Sequence, residues 1–379
     1  MMQAITNGSL RLPAISPDWD PWDPILSLRE HGKHVLTSVE MTISNLCNMR
    51  CEHCAVGDTL VWKEPSKLPL ADMLRRLDEV EHLQTISITG GEPTFAEETV
   101  REYILPLLRY ARERGVRSQI NSNLTLDLSR YEQIAPFLDV MHISFNYTGL
   151  DDFHQIGFAR SPHAVGRPAA AKLYERMIDN TQRLSKGGLF VSAESMINYR
   201  THERIDEIHR LIVEMGCLRH EVHPMYPSAF AANLPAIDRG QMLEAIERLL
   251  AHRDPSIWML FGTLPFYACS DDNRERELLS KLRQAPAVTV RNDPDGRNRI
   301  NVNLFTGEVF VTDFADIASF GNIADDRLDD LFNRWCESEL ARSVDCRCVA
   351  AGCCGPNLLV KDMYYQEVDF TIRKAIDPV

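Results

Sequence analysis

Residues 85–121 read TISITGGEPTFAEETVREYILPLLRYARERGVRSQIN. TISIT (85–89) alternates β-branched and small polar residues and has strand character. A Gly-Gly pair closes it at 90–91. EETVREYILPLLRYARERG (97–115) spaces its apolar residues for a helix and stops at Gly115. VRSQIN (116–121) returns to strand character. Strand, helix and strand in one short run make a parallel crossover unit, right-handed by the usual chirality of such connections.

The same rhythm extends to both sides. VEMTI (39–43) precedes it as a strand, and PLADMLRRLDEVEHL (69–83) is a helix with Leu70, Met73, Leu74, Leu77 and Val80 on one face. After it come helix 129–138, strand DVMHISFN (139–146), helix 167–187, strand LFVSAESMI (189–197), helix 202–216 and strand LRHEVHP (218–224). Six strands alternating with helices predict an α/β fold. Six units are too few for a closed eight-fold barrel, so the pattern fits a partial (β/α)6 TIM-type barrel or a doubly wound sheet. In either, ligands sit at the carboxyl ends of the strands.

Beyond residue 225 the pattern loosens. Helices are expected at 240–253 and 272–284, a β-hairpin turning at Thr306–Gly307 within 297–313, and an amphipathic helix at 325–343. The Pro- and Ala-containing stretch 225–236 marks a boundary. The division is an N-terminal arm (1–38), a barrel (39–230) and a smaller C-terminal domain (231–379). The arm is rich in Pro, Trp and Asp and carries one short helix, with Trp19 and Trp22 as anchors.

Composition narrows the class. The chain has 379 residues and a formal net charge of −13, with pI ≈ 5.4. Such a charge repels a nucleic-acid backbone on average, so nucleic acid is not the expected substrate. No apolar run approaches the ~18 residues of a membrane span, and no signal peptide is visible, so a cytoplasmic protein is expected. Ten cysteines are present, seven of them in two short clusters. In a reducing compartment that favours metal or redox chemistry over structural disulfides.

The first cluster follows the first strand. NLCNMRCEHC places Cys47, Cys51 and Cys54 as C-x3-C-x2-C. Three thiolates on such a loop can hold three irons of a cubic iron–sulfur cluster and leave one iron open. A zinc site completed by His53, or three unrelated thiols, would give the same spacing. The second strand runs into Gly90-Gly91-Glu92-Pro93-Thr94. Its glycines permit close backbone approach, and its carbonyls and carboxylate can accept bonds from an ammonium group.

C-x3-C-x2-C after the first strand and GGEP after the second together resemble the radical S-adenosylmethionine (SAM) superfamily, over roughly residues 39–225. The resemblance implies a [4Fe-4S] cluster on Cys47, Cys51 and Cys54, with SAM chelated at the open iron. It places His53 by the adenine, where the family usually has an aromatic residue. It assigns the methionyl ammonium to Gly90, Gly91, Glu92 and Pro93, and ribose or carboxylate contacts to Asn121, Ser122 and Asn123. Ser144 and Asn146 stand where many members read SxD, so Asn146 departs from the pattern. For these strand-end residues, polar capping is an equal alternative. The chemistry implied is reductive cleavage of SAM to a 5′-deoxyadenosyl radical, which abstracts hydrogen from a peptide or small-molecule substrate. An external donor such as flavodoxin or ferredoxin would supply the electron.

The second cluster, Cys346-x-Cys348-x4-Cys353-Cys354, follows the hairpin and the amphipathic helix. It resembles the SPASM/twitch auxiliary-cluster domains of radical SAM enzymes, and the whole chain resembles the radical-SAM/CxCxxxxC (YfkAB-like) family. In SPASM-type domains a cysteine follows the hairpin glycine by five positions. Here that position, counted from Gly307, is Thr312. A second [4Fe-4S] cluster on Cys346, Cys348 and Cys353 would take its fourth ligand from Cys269, Cys354, Asp313 or substrate, with Cys269 preferred. A structural zinc knuckle is the alternative. Cys217 and Cys336 read as buried small hydrophobes. The competing functional reading is a zinc-stabilised binding protein on the same scaffold, without SAM chemistry.

Overall fold

The computed structural model describes residues 13–226, 231–292, 294–312, 317–346, 348 and 352–372. The six expected strands are present: β1 (Ser38–Ser44), β2 (Thr85–Gly90), β3 (Arg117–Ser122), β4 (Val140–Ser144), β5 (Phe190–Ile197) and β6 (Arg219–Pro224). Two more follow, β7 (Trp258–Gly262) and β8 (Val288–Arg291). The hairpin is β9 (Arg299–Asn303) and β10 (Glu308–Phe310), with β11 (Gly321–Asn322) beside it. The sheet order is β11-β10-β9-β1-β2-β3-β4-β5-β6-β7-β8. β9 runs parallel to β1, with Met41 opposite Val302, so the hairpin is built into the barrel's own sheet.

That order forces the sheet to curl. Nine parallel strands from β9 to β8 would span ~38 Å if flat, at ~4.8 Å per strand. The connector 292–298 reaches at most ~28 Å fully extended. The edges therefore come back toward each other. The connector is tied to the start of β1, where the Asn298 carbonyl accepts from the Thr37 and Ser38 amides, both at 2.9 Å.

The helices, all among the described residues, are α1 (Pro24–His31), α2 (Leu70–Asp78), α3 (Glu97–Thr99), α4 (Leu105–Arg114), α5 (Leu128–Glu132), α6 (Leu150–Gly157), α7 (Arg167–Lys186), α8 (Ile205–Glu214), α9 (Arg239–His252), α10 (Asn273–Gln284), α11 (Leu328–Glu337), α12 (Glu339–Ser343) and α13 (Leu358–Tyr364). A π-type turn, Val100–Ile104, joins α3 to α4. Pro106 there has no N–H for the carbonyl one turn back, and the helix widens to accommodate it. No helix among the described residues is long and apolar enough to cross a membrane.

Strand alternation separates two environments. Val302, Met41, Ile88, Ile120, Met141 and Val191 lie in one register row and join the main core with Met73, Leu77, Leu107 and Ile208 of the helices. The other face, lining the barrel, is polar. Arg291 Nη1 pairs with Asp20 at 2.9 Å and its Nη2 with Glu221. Glu221 also binds Arg219 at 3.2 Å and His223 at 2.9 Å. Trp22 of the arm donates from Nε1 to Ser87 Oγ at 3.1 Å. The arm thus reaches into the barrel interior. Trp22 anchors it, as expected. Trp19 is half-buried, with the Arg117 guanidinium over its ring.

Candidate active site

The cysteine loop is fixed at both ends before any ligand is considered. Its start is held by Glu64, whose Oε1 accepts from Ser44 Oγ at 2.7 Å, Asn45 N at 2.6 Å and Leu46 N at 3.2 Å. Burial opposes the Glu64 charge, but these bonds and Lys67 at 2.6 Å outweigh it and hold its pKa below the usual carboxylate range. Further on, the Arg50 and Glu52 amides donate to the Gly157 and Ile156 carbonyls. Arg50 caps the Cys47 carbonyl at 2.7 Å. Glu64 has no spacing signal in the sequence, and sequence reasoning passed over it.

The glycine pair explains the close seat of this loop. Gly91 N donates to the Ser44 carbonyl at 2.6 Å, and Glu92 N to that of Leu46 at 2.7 Å. A Cβ on Gly90 would run into the Ser44 carbonyl oxygen, and one on Gly91 into that of Leu46. Gly90 also has φ +129°, a conformation closed to other residues. Pro93 is buried within the same turn.

Glu92 faces inward. It is fully buried and accepts from Thr94 Oγ1 at 2.6 Å, Ser122 Oγ at 2.9 Å and Asn123 N at 2.8 Å. Burial raises its pKa against the pull of these bonds. The carboxylate offered by sequence as an ammonium acceptor is engaged by the protein's own donors and ties the end of β3 to the GGEP turn.

The three thiols are desolvated. Burial pushes Cys47 up to about 12, Cys51 well above its ordinary value, and Cys54 above its own. Tyr147 hydrogen-bonds Cys51, and Asn123 Nδ2 donates to Cys47 Sγ at 3.8 Å. Such thiols are poor thiolates alone, and a bound metal cation reverses the balance. Among the described residues no three His, Cys, Asp or Glu side chains converge on a single-ion site. A cubic cluster sets each thiolate on its own iron corner, so convergence is not what it requires. The half-buried thiols, the donor to Cys47 and the glycine seat fit an iron–sulfur cluster held at this loop.

The remaining predicted residues ring the same end of the barrel. His53 is pushed down to about 4 by burial, which makes it neutral at pH 7, and its Nε2 lies 3.4 Å from Asn146 Nδ2. Asn121 accepts from Gln119 at 3.2 Å. Ser144, at the end of β4, is exposed. Beside it Glu194 is 31% exposed and bonded through Oε2 to His142 at 3.2 Å. His223 has both ring nitrogens engaged, by Glu221 and by Thr263 Oγ1 at 3.1 Å, and Tyr226 donates to the Thr263 carbonyl. Asp152 pairs with Arg204, Asp151 with Arg167, and Arg160 binds the Glu52 carbonyl and Asn233.

The second cysteine cluster follows α12 and meets Cys269, which lies on the loop after β7. Cys269, Cys346 and Cys353 share one buried cluster with Tyr267, Val360, Tyr365 and Phe370, and Cys348 packs against it. Cys346 Sγ and Cys348 Sγ are 3.5 Å apart. Cys353 N donates to the Cys348 carbonyl at 3.1 Å. Cys354 points elsewhere, packing with Ile25 and Leu28 of the arm. Asp313 lies outside the described residues. Cys217 is buried in the main core, and Cys336 packs at its edge.

Two family models match the chain: the radical SAM superfamily over residues 41–212 and the YfkB-like domain over residues 225–375. The chain belongs to the radical SAM superfamily, whose members use a 4Fe–4S cluster with SAM and require a reductant. It is 53% identical over 366 residues to putative protein YfkA of Bacillus subtilis (strain 168), covering 96% of this chain and 98% of that one. Among solved structures, Streptococcus suis SuiB bound to S-adenosylmethionine superposes with a TM-score of 0.56 at 16% identity, covering 89% of this chain and 74% of that one. SuiB bound to its precursor peptide SuiA gives 0.55 at 14%, covering 82% and 67%. At such identities the likeness shows the fold.

Proposed function

We propose that this chain is a radical SAM oxidoreductase with two iron–sulfur sites at one barrel mouth, acting on a peptide or a small molecule. Cys47, Cys51 and Cys54 would hold the SAM-binding cluster, and Cys269, Cys346, Cys348 and Cys353 a second one. When bound, the cluster and SAM supply a radical able to take a hydrogen atom from an unactivated C–H bond.

The chain's own residues prepare the mouth for that chemistry. Glu64, Arg50 and the glycine pair fix the cysteine loop. Asn123 offers a donor to the Cys47 sulfur. Neutral His53 and exposed Ser144 line the entrance. Glu194, steadied by His142, holds a carboxylate oxygen toward the opening, placed to accept a proton or hold an ammonium group. The arm, packed into the barrel interior through Trp22 and Asp20, limits the space open to water there.

One observation carries the two-site reading. Cys269, remote in sequence, joins the C-x-C-x4-C segment in one buried cluster, while Cys354 does not. Four thiolates close a site, which suits an electron carrier rather than a substrate ligand. A peptide substrate is supported by the peptide named with SuiB, a protein of the same fold. Anaerobic reconstitution tests the proposal. About eight irons per chain are expected, at about four per cubic cluster, falling by half in Cys346→Ala and in Cys47→Ala. Dithionite-dependent 5′-deoxyadenosine is expected from the parent and absent from Cys47→Ala. A colourless chain with stoichiometric zinc and no nucleoside product would establish the binding-protein alternative instead.

A further inference from the structure

α10 presents two working faces. Leu278 and Leu282 enter the main core, whereas Leu279 packs with Ala268 and Cys348. Arg283, one turn beyond Leu279, continues that second face. Its Nη2 lies 3.9 Å from where a Cβ on Gly352 would stand, and Gly352 adjoins Cys353. Its Nη1 is buried and has no hydrogen-bond partner among the described residues. Burial works against the guanidinium charge, and the Cys353 sulfur offsets this in part. Arg239, another guanidinium near this site, is already matched by Glu275.

A buried, unpaired cation is costly unless an anion comes to it. A cubic cluster on four thiolates is such an anion, with a net charge of about −2 when oxidised and about −3 after one-electron reduction. The surrounding Tyr267, Val360, Tyr365 and Phe370 are largely apolar and penalise the more highly charged, reduced form. A fixed positive charge at the edge acts in the opposite sense.

We propose that Arg283 is the counter-charge of the second cysteine site, a positioning residue that stabilises the reduced form of the cluster held there. This inference rests on the two-cluster reading above. It also gives the site a direction: the cluster is tuned to accept an electron.

The test uses the full chain carrying Cys47→Ala, Cys51→Ala and Cys54→Ala, so that only the second site is loaded. Iron and sulfide are counted, and the potential is followed by an EPR-monitored titration with dithionite. Arg283→Met and Arg283→Gln are expected to keep the metal content and shift the midpoint to lower potential. Arg283→Lys, which retains the charge, is expected to restore most of the shift. A merely structural role would not move the potential of a retained cluster. A full cluster whose potential is the same in all four backgrounds overturns the inference alone. Absence of iron and sulfide from the triple variant overturns the two-cluster reading, and the inference with it.

Discussion

His209 of α8 and His220 of β6 stack with their Nδ1 atoms 3.0 Å apart, both buried. His209 Nε2 accepts from the Asp254 amide at 2.9 Å, so its proton resides on Nδ1 and is donated to His220. His220 then carries its own proton on Nε2, which has no partner among the described residues. Both rings are neutral, and burial holds His209 down at about 4 and His220 well below its ordinary value. Between pH ~6.5 and ~4 the unfolded chain binds the extra protons, so stability falls as pH drops through that window. His209 alone accounts for up to about 3 kcal/mol. Urea midpoints measured from pH 7 to pH 4 should decline, and the decline should be shallower in His209→Leu/His220→Leu; equal slopes would refute the assignment. Residue detail also marks where sequence reading stops. C-x3-C-x2-C and GGEP announce their chemistry by spacing. Glu64 and Asn123 act through contacts between distant segments, which no local pattern records.

Secondary-structure elements were legible where periodicity is long or turn chemistry explicit. All six early strands and the Gly307 hairpin follow from alternation and glycine placement. β7 and β8 escaped because both are short, WMLFG having no polar alternation to mark it and VTVR running for only four residues. The alternation at 297–313 predicts β9 as a strand, yet its parallel seat beside β1 is a tertiary fact. α9 offers a clean test at this scale. Asp238 accepts from Gln241 N at 2.8 Å, and Gln241 Oε1 accepts from Asp238 N at 3.0 Å. This reciprocal cap satisfies two otherwise orphaned amides. Asp238→Ala should lower unfolding free energy by about 1 kcal/mol, read as a shift in urea midpoint at unchanged slope.

At the scale of the whole molecule, the arm both fills the barrel interior and touches the second cysteine segment, where Ile25 and Leu28 pack on Cys354. The arm seals one end through Trp22, which is 7% exposed, and through Asp20 on Arg291. Trp22→Ala would leave a large void beneath a buried ion network, at a cost of about 3–5 kcal/mol. A clear fall in melting temperature of the full chain is expected; an unchanged one would mean that the arm is only a surface strap. The seat of β9 against β1 has a further consequence, for how the protein is made. On a ribosome adding roughly 5–20 residues per second, β1 waits on the order of 10–50 s before its second neighbour is synthesised. Throughout that interval one flank of the strand leading into the cysteine loop is a bare edge, open to pairing with any other chain. Shielding of that edge on the nascent chain is therefore one requirement for the protein to mature.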